Sequence, residues 1–150
     1  MTVLWVVSDG KPGHLNQSLG LAEALQRAHP ELTVERLAPL NRLQLVALAC
    51  GRPPPLPAQP PALIVCAGHA THLSALALTR YSGAPSVVLM RPSLPLGWFS
   101  YTLLARHDRP AERATTLQTE GAINRMRPAN KRPDSGLILL GGPSRHYRWD

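Results

Sequence analysis

The N-terminal strand, glycine loop and helix constrain the fold more than any other stretch of the chain. Residues 3–7 form a short apolar, β-branched run that is typical of a buried strand. Residues 8–13 (Ser-Asp-Gly-Lys-Pro-Gly) are dense in turn formers, so the chain reverses direction there. Over residues 15–28 the apolar side chains recur at the spacing of one helix face. Together they begin a βαβ unit, which places the loop at the carboxyl end of a parallel sheet.

The same alternation continues along the chain. Further strands are predicted at residues 32–37, 62–66, 86–90 and 101–105, with a less regular one at 115–119 and a last, strongly apolar one at 136–142. Helices are predicted at 40–49, which is apolar over more than one face and therefore expected to be well buried, and at 71–81, with Thr71 as its N-cap. The proline-rich residues 52–61 predict an extended connector. We therefore predict an α/β fold, a Rossmann-like parallel sheet flanked by helices.

Composition narrows the classes of partner. The formal net charge is +7, nearly all of it from arginine, so an anionic membrane, an acidic partner or a phosphorylated molecule is favoured. Nucleic acid is the weaker alternative, because the arginines form no run and few aromatic residues accompany them. No export signal or membrane-spanning apolar run is visible, and we expect a cytoplasmic protein.

The first loop carries the chemistry of an anion site. Amide groups at a helix start and the positive end of the helix dipole favour a negative charge. Gly10 and Gly13 permit close backbone approach, Lys11 adds a mobile positive charge, and His14 can hold a proton near neutral pH. The spacing matches neither the phosphate-cradling loop nor the dinucleotide fingerprint, and a tight turn with a solvated lysine explains it equally well.

Other candidate residues follow later strands. Gly68 and His69 come after the third strand, Arg91 after the fourth, and the adjacent His107 and Asp108 after the fifth. Because parallel strands end at one edge of the sheet, these residues and those of the first loop are expected to line one cleft. His69 and His72 have a spacing found in metal sites, but no third ligand lies nearby in the sequence, so we predict neither a metal nor another cofactor.

Several ordered motifs resemble one protein family. Residues 8–25 (from Ser-Asp-Gly-Lys-Pro-Gly-His), the segment Leu-Met-Arg-Pro-Ser-Leu-Pro-Leu at 89–96, Thr-Glu-Gly-Ala-Ile-Asn-Arg at 119–125 and Ile-Leu-Leu-Gly-Gly-Pro at 138–143 are similar to the mitochondrial-fission-protein-like family of plants and bacteria. That family resembles GT-B glycosyltransferases, in which two Rossmann-like domains face each other across a cleft.

The resemblance implies a domain division and a function. Residues 1–130 would be the N-terminal domain, and 131–150 a linker and the first strand of a second domain that is largely missing. The cleft would bind a phosphorylated or sugar ligand and form part of a glycosyltransferase using a nucleotide sugar. His14 or His107, with Asp108, would perform acid–base catalysis. The ligand-binding set is Gly10, Lys11, Gly13, Gln17, Gly68, His69, Arg91, Asn124, Gly141 and Gly142.

Two other functions stay open at this stage. The chain could be a non-enzymatic interaction module at an anionic membrane or with an acidic partner, as the fission label of the plant relatives suggests. A nicotinamide dehydrogenase is disfavoured because the dinucleotide fingerprint is missing. Whether the chain forms a homodimer is also open.

Overall fold

A computed structural model describes residues 2–108, 112–130 and 132–138. Six strands occur there: β1 (Thr2–Val7), β2 (Leu32–Leu37), β3 (Leu63–Ala67), β4 (Ser86–Leu89), β5 (Tyr101–Ala105) and β6 (Thr116–Thr119). They form one sheet in the order β2-β1-β3-β4-β5-β6, and every neighbouring pair is parallel. Three α-helices connect the first four strands: α1 (Pro12–Ala28), α2 (Arg42–Ala49) and α3 (His69–Ser82). The predicted α/β fold, a parallel sheet flanked by helices, is confirmed.

The strand order places a crevice between β1 and β3. The chain runs from β1 outward to β2 and then returns to β3 on the other side of β1. In such doubly wound sheets the connections leave β1 and β3 toward opposite faces, which opens a crevice at their carboxyl ends. Val7 pairs with both Leu37 and Cys66, so β1 is the central strand of this half of the sheet.

Apolar strands bury both faces of the sheet. On one face Leu4 and Val6 of β1 pack with Ala22 of α1. On the other face Trp5 packs in a cluster with Leu48 of α2 and Leu78 of α3. Because successive side chains of a strand point to opposite faces, the unbroken apolar run of β1 supplies both clusters.

The first and third helices begin earlier than predicted. α1 begins at Pro12. A proline at this position sacrifices no hydrogen bond, because the first amides of a helix have no acceptor within the helix. The prediction of Thr71 as the N-cap of the third helix was wrong. α3 begins at His69 after Gly68, and the Thr71 hydroxyl donates to the Gly68 carbonyl at 2.7 Å.

The predicted burial of the second helix was also wrong. Asn41 and Gln44 form a reciprocal capping box that fixes the start of α2 at Arg42. Leu48 is the buried residue of this helix, while Leu43 and Val46 are 81% and 62% exposed. α2 packs against α3, and its Leu48 joins the cluster around Trp5.

The C-terminal part of the sequence prediction is only partly covered by the described residues. The described part of the predicted last strand, residues 136–138, is not in a strand, and Gly141 and Gly142 lie outside the described residues. The division at residue 130 stays a prediction. Among the described residues, no helix has both the length and the apolar character needed to cross a membrane.

Candidate functional site

The loop between β1 and α1 is a tight turn held by its own side chains. Gly10 has a φ of +78°, which a residue without a Cβ adopts at little cost. The Gly10 amide donates to the Ser8 hydroxyl at 3.1 Å, and the Lys11 amide donates to the Asp9 carboxylate at 3.2 Å. These contacts turn the chain directly from the end of β1 into the first turn of α1.

Asp9 and His14 form a close pair inside this turn. His14 Nδ1 lies 3.1 and 3.0 Å from the two Asp9 carboxylate oxygens. The Asp9 side chain is 8% exposed and that of His14 is 18% exposed. Burial by itself raises the pKa of the Asp9 carboxyl, but the hydrogen bonds from His14 and the Lys11 amide outweigh it and lower the pKa below its ordinary value of 3.8.

The pair fixes which nitrogen of His14 carries a proton. An ionised carboxylate only accepts hydrogen bonds, so Nδ1 of His14 is the donor. In the neutral imidazole, Nε2 then keeps its lone pair and can accept a proton. The loop therefore combines an oriented imidazole with a buried negative charge.

Gly68 allows His14 to occupy this position. Gly68 has a φ of +88° and directly follows β3, the strand next to β1. A Cβ added there would lie under 3.0 Å from Nδ1 and Cε1 of the His14 ring. The first and third strand ends therefore meet at the crevice between β1 and β3, with the imidazole of His14 seated directly on the glycine.

Two histidines of α3 lie beside this contact. His72 is 2% exposed, and its Nδ1 has no hydrogen-bond partner among the described residues. Its ring packs edge-on against Phe99 and lies 6.1 Å from the His69 ring, centroid to centroid. Burial lowers the pKa of His72, and the charges of His69 and His14 lower it further. The site around His72 therefore disfavours its charged form.

A cavity opens at the carboxyl ends of β4, β5 and β6. Its volume is about 330 Å³, and α1 and the segment after β6 close its sides. It is lined by Gln17, Leu89, Met90, Arg91, Leu103, Ala105, His107, Asp108, Thr119, Ala122 and Ile123. Its walls thus mix aliphatic side chains with groups that can pair with an anion or hydrogen-bond to hydroxyls.

Gln17 and Met90 connect this cavity to α1. Met90 directly follows β4 and has a φ of +67°, a left-handed conformation that is uncommon for a residue with a side chain. Gln17 Nε2 donates to Met90 Sδ at 3.1 Å. The turn at Met90 carries the chain from the buried strand to Arg91 at the rim of the cavity, where such strained conformations are often found.

His107 and Asp108 line the same cavity from a short 3₁₀ turn. The turn, Arg106–Asp108, follows β5 directly, so the opposite-facing geometry of neighbouring strand residues does not apply to it. His107 Nε2 lies 3.7 Å from Asp108 Oδ1, longer than a hydrogen bond. The His107 side chain is 69% exposed, compared with 18% for His14. The Asp9–His14 pair is thus the better oriented of the two.

The structure gathers some of the predicted site residues and separates others. Gln17, Arg91, His107 and Asp108 share the cavity, while His14 and Gly68 meet at the neighbouring crevice. Lys11 points to solvent with its side chain 68% exposed, 3.9 Å from Asp9. The other predicted residues lie outside the cavity lining: Gly10 in the turn, Gly13 in a separate groove of about 480 Å³ beside α1, His69 exposed on α3, and Asn124 packed by its backbone against Gly20.

Sequence reasoning missed three residues of this region. Asp9 was interpreted only as a turn former, although a carboxylate five residues before a histidine across a helix start can fold back onto it. Met90 and Thr119 were counted only as members of strands and motifs, and both line the cavity. The left-handed backbone of Met90 leaves no signal in its residue type.

Comparison with known proteins identifies one family. The sequence model of a family described as Mitochondrial fission ELM1 matches residues 12–150. No curated protein and no solved structure matches the chain.

Proposed function

The chain belongs to the mitochondrial fission ELM1 family, and from this premise we propose that its strand-end cleft binds a phosphorylated or sugar small molecule. The cleft comprises the cavity beyond β4, β5 and β6 and the adjoining crevice at His14 and Gly68. Ligands of open parallel sheets bind outside the carboxyl ends of the strands, which is where both features lie.

The observation that carries the proposal is the cavity of about 330 Å³ with Arg91 on its rim. A guanidinium group binds phosphate oxygens in a bidentate fashion. Gln17, Asp108 and Thr119 supply a polar set suited to sugar hydroxyls, and the aliphatic walls exclude water from one side of the ligand.

Arg91 is better placed than Lys11 to hold the phosphate. The loop at Lys11 already contains the buried, ionised carboxylate of Asp9, which accepts the Lys11 amide hydrogen bond. A second anion there would lie beside a like charge, which disfavours it. Among the described residues, Arg91 has no ion-pair partner, so its charge is available to a ligand.

The finer proposal is a GT-B-type glycosyl transfer with His14 as general base. An acceptor hydroxyl gives its proton to Nε2 of His14 while its oxygen bonds to the anomeric carbon of the donor sugar. The bond from that carbon to the phosphate oxygen breaks, and the nucleoside diphosphate leaves with the bonding electrons. Asp9 keeps His14 in the required tautomer and stabilises the imidazolium that forms.

Titration calorimetry with UDP-glucose, GDP-mannose and undecaprenyl phosphate tests the binding proposal. Replacing Arg91 by alanine should weaken binding of at least one of them by tenfold or more, because a charge-assisted hydrogen bond contributes about 1.5 to 3 kcal/mol. Arg36→Ala is the matched control, since Arg36 is an exposed arginine on β2 at the far edge of the sheet.

The same titration separates the two positive groups. Lys11→Ala should change affinity less than Arg91→Ala does. Equal affinity of the wild-type and Arg91→Ala proteins for the probes, or no binding of any of the three probes, would contradict ligand binding in the cavity. A larger loss of affinity with Lys11→Ala than with Arg91→Ala would instead favour binding of the phosphate at the first loop.

A further inference from the structure

One long stretch of the chain carries positive charge alone. Between Glu35 and Asp108 the sequence contains six arginines and no acidic residue. This stretch includes α2 and α3, which cover one face of the sheet. The acidic residues Glu23 and Glu31 belong to α1 or the turn after it, and α1 covers the opposite face. The two helices of this layer therefore carry no negative side chain, and the acidic residue that shares their face of the sheet in the described part of the chain is Glu35, on the edge strand β2 in register with Trp5.

The same layer exposes apolar side chains around a groove. The groove lies between α2 and α3 and has a volume of about 350 Å³. Leu45, Leu48 and Ala49 line it from α2, and Ala77, Arg80 and Tyr81 line it from α3. Exposed apolar residues extend the α3 wall, where Leu73 and Tyr81 are 56% and 49% exposed.

Helical periodicity places the α3 residues in one row. Leu73, Ala77 and Tyr81 are four residues apart and therefore lie above one another on the same face. Arg80 stands at the end of this row, and Arg42 and Arg52 flank α2 at its two ends. We refer to the groove with Leu73 and these three arginines as the α2–α3 groove.

We propose that the α2–α3 groove docks an acidic amphipathic helix of a partner protein. An apolar stripe at a spacing of three and four residues can insert between the two walls, as in other helix-in-groove complexes. The charged residues of α2 and α3 are Arg42 and Arg80, and Arg80 lines the groove, so charge complementarity favours acidic flanks on the docked helix. The proposal does not depend on the ligand of the strand-end cleft.

The groove suits a protein segment better than a lipid surface. A bilayer offers a broad, smooth interface, whereas this surface is concave and has an aromatic side chain on one wall. Stable attraction to anionic lipid takes clusters of about 4 to 8 basic residues. The α2–α3 groove has one arginine in its wall, Arg80, and two at the ends of α2.

Fluorescence anisotropy with synthetic helical peptides tests this inference. The probes are three stapled 16-residue peptides that carry leucine at positions i, i+3, i+4 and i+7 in different registers, with glutamate flanks. The matched peptides carry lysine in place of glutamate. At least one glutamate peptide should bind tenfold or more tightly than its lysine counterpart. Absence of binding by all three up to about 1 mM would overturn the proposal.

Variants locate the binding. Leu45→Ser combined with Tyr81→Ser removes one apolar side chain from each wall of the groove and should weaken binding by tenfold or more. Arg80→Glu should weaken it as well. Leu117→Ser is the control, because Leu117 on β6 is 55% exposed and far from both helices in the sheet order. Unchanged circular dichroism and melting of each variant exclude misfolding, and equal affinity in wild type and the double variant would contradict the assignment.

A dye and two alternative assays give independent readouts. Cys50 is exposed at the C-terminus of α2, while Cys66 is buried, so an environment-sensitive maleimide labels the rim of the groove. Its emission should change when the glutamate peptide binds. Sedimentation with vesicles of 30% phosphatidylglycerol that is lost in the double variant, without peptide binding, would assign the groove to a membrane. A dimer in analytical ultracentrifugation that the double variant disrupts would assign it to a second copy.

Discussion

Replacing Gly68 by alanine tests the contact that joins the two halves of the candidate site. In the wild-type protein the His14 ring rests on Gly68, and Asp9 holds that ring through Nδ1. Alanine adds a Cβ that would lie under 3.0 Å from two ring atoms, so the ring has to leave. Because Asp9 keeps its place in the turn, the ring can leave only by breaking its pair with the carboxylate.

Two costs add in this substitution. Gly68 has a φ of +88° and a ψ of 148°, a region that residues with a side chain occupy at a cost of about 1 to 3 kcal/mol. Losing the hydrogen bond between His14 and the ionised Asp9 costs about 1.5 to 3 kcal/mol more. We therefore expect Gly68→Ala to lower the free energy of unfolding by about 2.5 to 6 kcal/mol, a large part of the stability of a typical domain.

Urea denaturation of four proteins separates the two costs. In a His14→Ala background the collision is absent, so adding Gly68→Ala should cost only the backbone strain of about 1 to 3 kcal/mol. Gly13→Ala is the matched control, because a Cβ there meets no atom within 4 Å and the residue lies in the first turn of α1. An identical cost of Gly68→Ala with and without His14 would refute the packing of His14 on Gly68.

Three further predictions follow from other parts of the structure. Gly20→Ala should destabilise the protein by about 1 to 3 kcal/mol in chemical denaturation through overpacking, because its Cβ would lie 2.5 Å from the Asn124 carbonyl oxygen; unchanged stability would contradict this packing. Ellman's reagent should modify Cys50 at once and Cys66 only after unfolding, since burial raises the pKa of the Cys66 thiol to about 12; two fast thiols would be inconsistent with the buried position. Burial, with the charges of neighbouring histidines, lowers the pKa of His72 below its ordinary value of 6.5. On acidification the unfolded chain therefore binds a proton before the folded protein does, and the free energy of unfolding falls as the pH drops below 6.5. His72→Gln should reduce this dependence of stability on pH in melting curves, and an unaltered dependence would argue against a neutral His72.

The strands were predictable because their apolar runs are continuous. The six described strands overlap the predicted ones within one residue at each end, and residues 52–61 form the expected connector. The burial of α2 was not predictable in this way. Its apolar residues surround most of the helix, and residue type alone does not say which face finds a partner, so the exposure of Leu43 and Val46 emerged only from the packing.

The meeting of the first loop with Gly68 in the candidate site was predictable, but the pairing of side chains within the loop was not. Glycines after β1 and β3 pointed to one edge of the sheet, and the contact of Gly68 with His14 lies at that edge. Thr71 was expected to cap α3, yet α3 begins at His69 after Gly68, and the Thr71 hydroxyl donates to the Gly68 carbonyl. The pairing of Asp9 with His14 depends on how a turn folds back, which residue spacing alone does not specify.

Backbone NMR of the protein titrated with UDP-glucose, GDP-mannose and undecaprenyl phosphate tests the central claim most directly. Perturbed amides should cluster at Gln17, Arg91, Asp108 and Thr119, with smaller shifts at His14 and Gly68, and the cluster should vanish in Arg91→Ala. Shifts confined to other surfaces, or no shifts with any of the three probes, would contradict a ligand-binding cleft at the carboxyl ends of the strands.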